Sequence, residues 1–313
     1  MQPCVSRSTL IPSCLLSAVV CCLLSSCNLD RVAVNATAGL LAQAEPVARS
    51  YFDWESAGQA SPAGIIQLEG LHLLSPDNEQ LTLSLVKTYM AYAYGWVMDA
   101  YEVAKQSGDY ELAEHHRMRA FNMYSRARDL ALRAVSHYDA DVRQRLAQDQ
   151  PAVRAYLKEA FDEDALPSLF WLMMAWTSAA NNSPNAEDMS DMASLLAIAD
   201  WVVSQDPGYE DASALVILGG YEASLPKAVG GQPEKAKAYF ERALKLTGRR
   251  NHIMLVNYAT LFATTTQNRE LYLSLLREIL EAPDQGSKYR MTNKVARRRA
   301  VRALARTDEL FYE

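Results

Sequence analysis

The sequence predicts an all-α fold built as a solenoid of paired helices. Three observations predict it. Apolar residues recur at helical spacing through nearly every segment, and nothing alternates like a strand. The pattern Ala-x-x-x-Phe-x-x-Ala, typical of a repeat's second helix, falls on Ala236, Phe240 and Ala243, and with tyrosine at its centre on Ala120, Tyr124 and Ala127. Equivalent second-helix positions, Ala236 and Leu271, lie about 35 residues apart, close to the period of about 34 in tetratricopeptide (TPR) arrays. The expectation is a TPR-like solenoid of about four helix pairs with extra capping helices.

Taken in order, residues 1–26 carry one charge, Arg7, ahead of the apolar run Leu15 to Leu24. Leu24-Ser25-Ser26-Cys27 then has the small-residue pattern of a bacterial lipoprotein cleavage site, so Cys27 is the expected lipid-bearing mature N-terminus. An uncleaved anchor or a plain secretion signal is the alternative, but the apolar run is short for a bilayer span. All five cysteines lie at or before residue 27, so no disulfide forms within a processed chain. This reading gives a signal peptide over 1–26, a polar tether over 27–40 and one helical domain over 41–313. It places the protein on the periplasmic side of a bacterial membrane, lipid-anchored.

The domain opens with a helix over Thr37 to Phe52. Leu81 to Gln106 and Tyr110 to Val135 form a hairpin around Ser107-Gly108-Asp109. Ala165 to Ala180 pairs with Ala186 to Ser204, which Asp206-Pro207 stops. Glu210 to Ala223 pairs with Pro233 to Leu246, whose proline suits a first helical turn. Asn251 to Thr264 pairs with Glu270 to Glu281, and Tyr289 to Arg306 closes the array. Stacked pairs bury their apolar faces against neighbours and leave a concave surface free.

The third pair is interrupted. Ser224 to Gly231 separates its helices where a repeat turns in a few residues, and it carries apolar Leu225 and Val229, Pro226, Lys227 and the pair Gly230-Gly231. Such a loop adds nothing to stacking. Two arrangements are open: it folds back to line the mouth of a cavity, with Lys227 facing solvent, a partner or an acidic ligand group, or it caps a gap between repeats. Tyr221, at the end of the preceding helix, joins the loop as a candidate ligand- or partner-binding residue; Phe170-Trp171 with Trp176 form a second aromatic cluster, either core or a ligand-facing wall.

Composition narrows the function. Without residues 1–26 the chain holds 30 basic and 37 acidic side chains, a formal charge of −7, which argues against nucleic acid as a partner. The five histidines show no metal-ligand spacing, and adjacent His115 and His116 point about 100° apart on a helix. No nucleophile elbow, phosphate-cradling glycine loop or working carboxylate pair is present, so neither enzyme nor cofactor is expected. Tyr89, Tyr92 and Trp96 with Tyr94 and Tyr101 place aromatics on two faces of one helix, either as core or as a ligand-facing wall. Arg297-Arg298-Arg299 with Arg302 and Arg306 reads as a solvated face, or as a site for lipid headgroups or an acidic partner.

The ordered set of segments 119–135, 166–176, 218–246, 258–280 and 293–311 resembles the T component of TPR-protein-associated TRAP transporters, a lipoprotein family. The family's S-L-P-x-x-x-G-G loop falls on Ser224 to Gly231, its aromatic pair on Phe170-Trp171, and its N-x-x-A-x-R-R-A helix on Asn293 to Ala300; Gln232 departs from a commonly acidic position. The resemblance implies a periplasmic accessory that contacts a TRAP substrate-binding protein, self-associates as a trimer and holds an apolar cavity or channel through each subunit, and by marking Phe170-Trp171 it makes Phe170, Trp171 and Trp176 the candidate wall facing the loop. One expectation is an accessory that passes or shelters an apolar, organic-acid-like ligand. A scaffold for envelope assembly, without a ligand cavity, is the competing expectation.

Overall fold

The computed structural model describes residues 13–226 and 230–311, with side chains from residue 29 onward except residue 186. The side chain of Cys27 and the whole of Lys227 and Val229 lie outside the described residues. Among those described there is no strand, and the fold is an all-α helical repeat.

Helix starts follow the polar residue that precedes each apolar run. Asp53 caps α2 (Trp54–Leu74), Asn78 caps α3 (Glu79–Tyr92) and Asp109 caps α5 (Tyr110–Val135), each accepting backbone N–H groups that have no partner inside the helix. Between α3 and α4 (Met98–Gln106) a π-helical turn, Ala93–Val97, keeps the chain one long rod. After short α6 (Val142–Leu146) come α7 (Gln150–Ala160), α8 (Leu166–Asn182) and α9 (Met192–Gln205). Next are α10 (Tyr209–Ser224), α11 (Pro233–Thr247) and α12 (His252–Asn257), the last continued by a π turn at Tyr258–Ala263. Then α13 (Arg269–Glu281), α14 (Arg290–Ala305) and α15 (Thr307–Leu310) complete the chain. Gly248, left-handed at φ 57°, ends α11 as a C-cap.

The hairpins expected from sequence all form, and α2, α6 and α7 join them. Helix α1 (Ser13–Ser50) starts earlier than the expected Thr37 and covers residues 28–40, with Val34 and Ala38 buried against Leu81. Helix α7 is amphipathic, with Val153, Tyr156 and Leu157 buried on one face, whereas α2 lies where the periodicity is not distinctive, because apolar and small residues surround it on every side. Its presence accounts for the surplus aromatics of the long rod: Trp96 stacks between Trp54 and Tyr92 and rests where a Gly58 side chain would be, and Tyr89 donates to Glu69 at 2.8 Å.

Two hydrophobic cores meet at α10. Leu218 and Ala214 join the core of α2 to α9, whereas Leu215, Val216 and Ala223 join that of α11 to α14. The first turn of α10 is left-handed at Glu210, Asp211 and Ala212, with φ of 41°, 59° and 60°. Each such residue costs roughly 1–2 kcal/mol. The turn is held from both sides: Glu210 pairs with Arg49 and Lys87, and Asp211 accepts from Lys288, Tyr289 and Asn251.

The C-terminal arginines are neither a free solvated face nor an open anion site. Helix α14 returns to the first hairpin, and Arg298 and Arg302 both bind the buried carboxylate of Asp99, at 2.8 and 2.7 Å. Arg302 and Arg299 also reach Glu102, Arg298 lies 3.8 Å from the Trp54 ring, and Arg299 lies 3.8 Å from the Tyr94 ring. Arg297 donates to the Leu280 carbonyl and Arg306 pairs with Glu309. Like charges at this density persist on one helix only because carboxylates and ring faces opposite them neutralise the repulsion. This seam closes the array on itself.

Candidate functional site

A broad groove opens beside the interrupted pair. Helix α10 ends at Ser224, whose hydroxyl donates to the Tyr221 carbonyl at 2.8 Å, and the chain leaves the helix through Leu225 and Pro226. It then doubles back. The Gly231 N–H donates to the Pro226 carbonyl at 3.1 Å, and a Cβ on Gly231 would stand 1.9 Å from the Leu225 carbonyl oxygen. Only glycine permits that approach. Gly230, at φ 96°, supplies the left-handed step before it.

Beneath this turn runs a groove of about 1250 Å³ between α11, the π turn and α13. Leu225 and Pro226 form its lip. The floor is apolar: Leu244, Tyr258, Phe262, Leu271 and Leu275. Packed rings stiffen that floor, with Phe240 and Tyr258 stacked 4.9 Å apart at 15° and Phe262 tilted at 43° to Tyr258, 5.2 Å away. Burial pushes the Tyr258 hydroxyl up to about 12, so it stays protonated as a donor. Around the rim stand Glu234, Lys237, Glu241, Lys245 and Arg249, with Thr265, Thr266 and Asn268 at the far end. Arg249 is bound to Glu278 and held protonated by that bond, whereas Lys245 has no ion pair among the described residues. An apolar floor with a mixed-charge rim suits an amphipathic occupant. Among the described residues no three His, Cys, Asp or Glu side chains converge as a metal site.

Residues 52–311 match the profile of the TRAP transporter T-component family. The chain belongs to that family. A relative in Treponema pallidum (strain Nichols), an uncharacterized protein, is 22% identical over 219 residues, covering 69% of this chain and 67% of the relative. The T-component match spans both cores, the groove and the α14 seam. It associates the chain with a TRAP transport system, through a transporter component rather than an enzyme family. No helix among the described residues is long and apolar enough to cross a membrane.

The residues expected at the site of this T-component divide into two places. Leu225 and Pro226 line the groove, Gly230 and Gly231 adjoin them through the Gly231–Pro226 hydrogen bond without lining it, and Lys227 lies outside the described residues. Tyr221 sits one helical turn before the lip and packs on the first core. Phe170, Trp171 and Trp176 do not face the loop. Phe170 is buried between the rings of Trp171 and Tyr209, in edge contacts of 5.2 and 5.1 Å. The Lys87 ammonium lies 5.7 Å from the Trp171 ring, and Trp176 donates to Asp191 at 3.2 Å. The wall opposite the loop is instead Tyr258, Phe262, Leu271 and Leu275. Its signal in the sequence is Tyr258 and Phe262 four apart, within a segment that already carries the family resemblance.

Proposed function

We propose that this chain is a lipid-anchored periplasmic accessory of a TRAP transport system, and that the groove beneath the 225–231 turn receives the substrate-binding protein or an apolar organic acid passed from it. The observation that carries the reading is the turn itself. It spends two glycines and a proline on closing over an apolar floor, in a place where repeat stacking asks for none of them. Leu225 at the lip stays half-buried and Pro226 exposed, so an occupant would bury apolar surface worth about 25 cal/mol per Å². The Lys245 ammonium, with no ion pair among the described residues, offers a partner for a carboxylate on the rim. Lipid on Cys27 would hold the groove beside the transporter, and its replacement by alanine should release the protein from the membrane fraction.

Sedimentation of the chain with the TRAP substrate-binding protein of the same genome tests the partner. A complex at micromolar concentrations, typical of a partner that must be released each cycle, is the expected result. No shift at any concentration reached would favour the envelope scaffold. The same run on the chain alone measures whether it sediments as the trimer that the resemblance implies.

A further inference from the structure

We propose that the outer face of α1 lies flat on a lipid surface as an interfacial helix, so that the domain sits on the membrane along its N-terminal side. The observation is a helix that is apolar on two opposite sides. At about 100° per residue, Leu29, Ala36, Leu40 and Val47 fall within about 20° of one direction. Val34 and Ala38, which are buried against the body, fall on the other side, as do Glu45 and Arg49, which pair with Lys87 and Glu210. The outward four are not packed on anything. Leu29 is 70% exposed, Leu40 66% and Val47 64%, and flanking Val32 is 62% exposed. Ala33 and Ala44 widen the stripe, and Gln43 is its one polar side chain between Leu29 and Val47; Asp30 and Arg31 stand off it.

Helix α2 carries further exposed apolar side chains beside α1. Asn35 accepts hydrogen bonds from Ser75 and Asn78, at 2.9 and 2.7 Å, which pins the C-terminal end of α2 beside α1. Leu73 at 80% exposure and Leu74 at 53% precede that pin, and Ile66 at 72% lies two turns back on the same helix. A charge-poor stripe of exposed apolar side chains on α1, with more on α2, marks a surface that something else covers.

A lipid surface fits it better than a second copy. The stripe is short of the three to four heptads that a coiled-coil seam needs, and it is a broad arc rather than a narrow a/d line. No charged pairs flank it to set a partner helix in register. Breadth with low charge is what burial in the headgroup–acyl boundary demands. The inference rests on the anchor proposed above in one respect: Leu29 follows Cys27 by two residues, about 3 Å along the helix, so acyl chains there would hold the stripe's first turn at the bilayer.

The test uses the full chain, processed and reconstituted into vesicles of phosphatidylethanolamine and phosphatidylglycerol. Because four cysteines are removed with residues 1–26 and Cys27 would be blocked by lipid, Leu40→Cys, Val47→Cys or, as a control on α11, Leu246→Cys each gives one thiol for an environment-sensitive fluorophore. Quenching by spin-labelled lipid several-fold stronger at 40 and 47 than at 246, and equal at the two stripe positions, is the expected result. Quenching by aqueous iodide equal at all three positions would overturn it. So would protection from both quenchers, or self-quenching at position 40 that vanishes when unlabelled chain is mixed in, which would assign the face to a protein partner or a second copy. Mass spectrometry of the mature N-terminus separates the two readings. Lipid on Cys27 with a water-exposed stripe defeats this inference alone, and a lipid-quenched stripe without acylation defeats the anchor alone.

Discussion

The α14 seam and the groove under the 225–231 turn are built from the same materials, arginine or lysine beside carboxylates and aromatic rings, and they hold them in opposite states. At the seam each guanidinium of Arg298, Arg299 and Arg302 has a carboxylate and two of them lie on rings, with Asp99 only 3% exposed. At the groove the Tyr258 ring stacks on Phe240 and leans on Phe262, while Lys245 on the rim has no ion pair among the described residues. A cluster whose partners lie within the chain closes a fold. One that is left incomplete above an apolar floor is available to something else.

The sharpest break of that comparison is at the seam. Asp99→Asn leaves Arg302 and Arg298 facing a buried amide, and removing one member of a buried pair should cost about 3 kcal/mol. Urea unfolding measures it, and a loss below about 1 kcal/mol would mean that the seam does not hold the array closed. Gly231→Ala attacks the other region, because its Cβ must displace the Leu225 carbonyl. The turn opens while both cores remain, so partner affinity should fall about tenfold, or 1.4 kcal/mol, with a smaller change in the unfolding midpoint. A fall in stability as large as that for Asp99→Asn would make the turn a structural cap.

A pH titration sharpens the comparison further. Burial holds the His252 imidazole below its ordinary 6.5, with Glu278 pulling the other way. The folded state therefore binds fewer protons than the unfolded one between the depressed value and 6.5. Stability is complete above 6.5 and declines as pH falls through that window, by up to about 1.4 kcal/mol per pH unit. His252→Gln should flatten this decline. An unchanged slope would assign it to other groups.

Much of the fold was legible because its punctuation is local. Asp109, Pro233, Gly248 and Asn268 mark helix ends by chemistry that needs no tertiary partner. The α2 helix was not, since small residues such as Gly58, Ala60, Ala63 and Gly64 give no one-sided stripe, and their meaning lies in what they let approach, as Trp96 does. The role of the arginine run was hidden for a related reason. Asp99 and Glu102 are about 200 residues away in the chain. For the site, the loop's proline and glycines flagged themselves by being superfluous to stacking. Its facing wall did not, because Phe170-Trp171 and Tyr258–Phe262 are equally aromatic pairs, and only the division into two cores at α10 decides which one the loop meets.

The central claim, that the turn and groove form the binding surface, is tested most directly by a charge reversal that no core can feel. Lys245 is exposed and has no ion pair among the described residues, so Lys245→Glu should leave the unfolding midpoint where it is. Measured by isothermal titration against the TRAP substrate-binding protein, beside Leu225→Asp at the lip, both variants are predicted to lose about tenfold or more in affinity. Wild-type affinity in both, with the fold intact, would contradict the account.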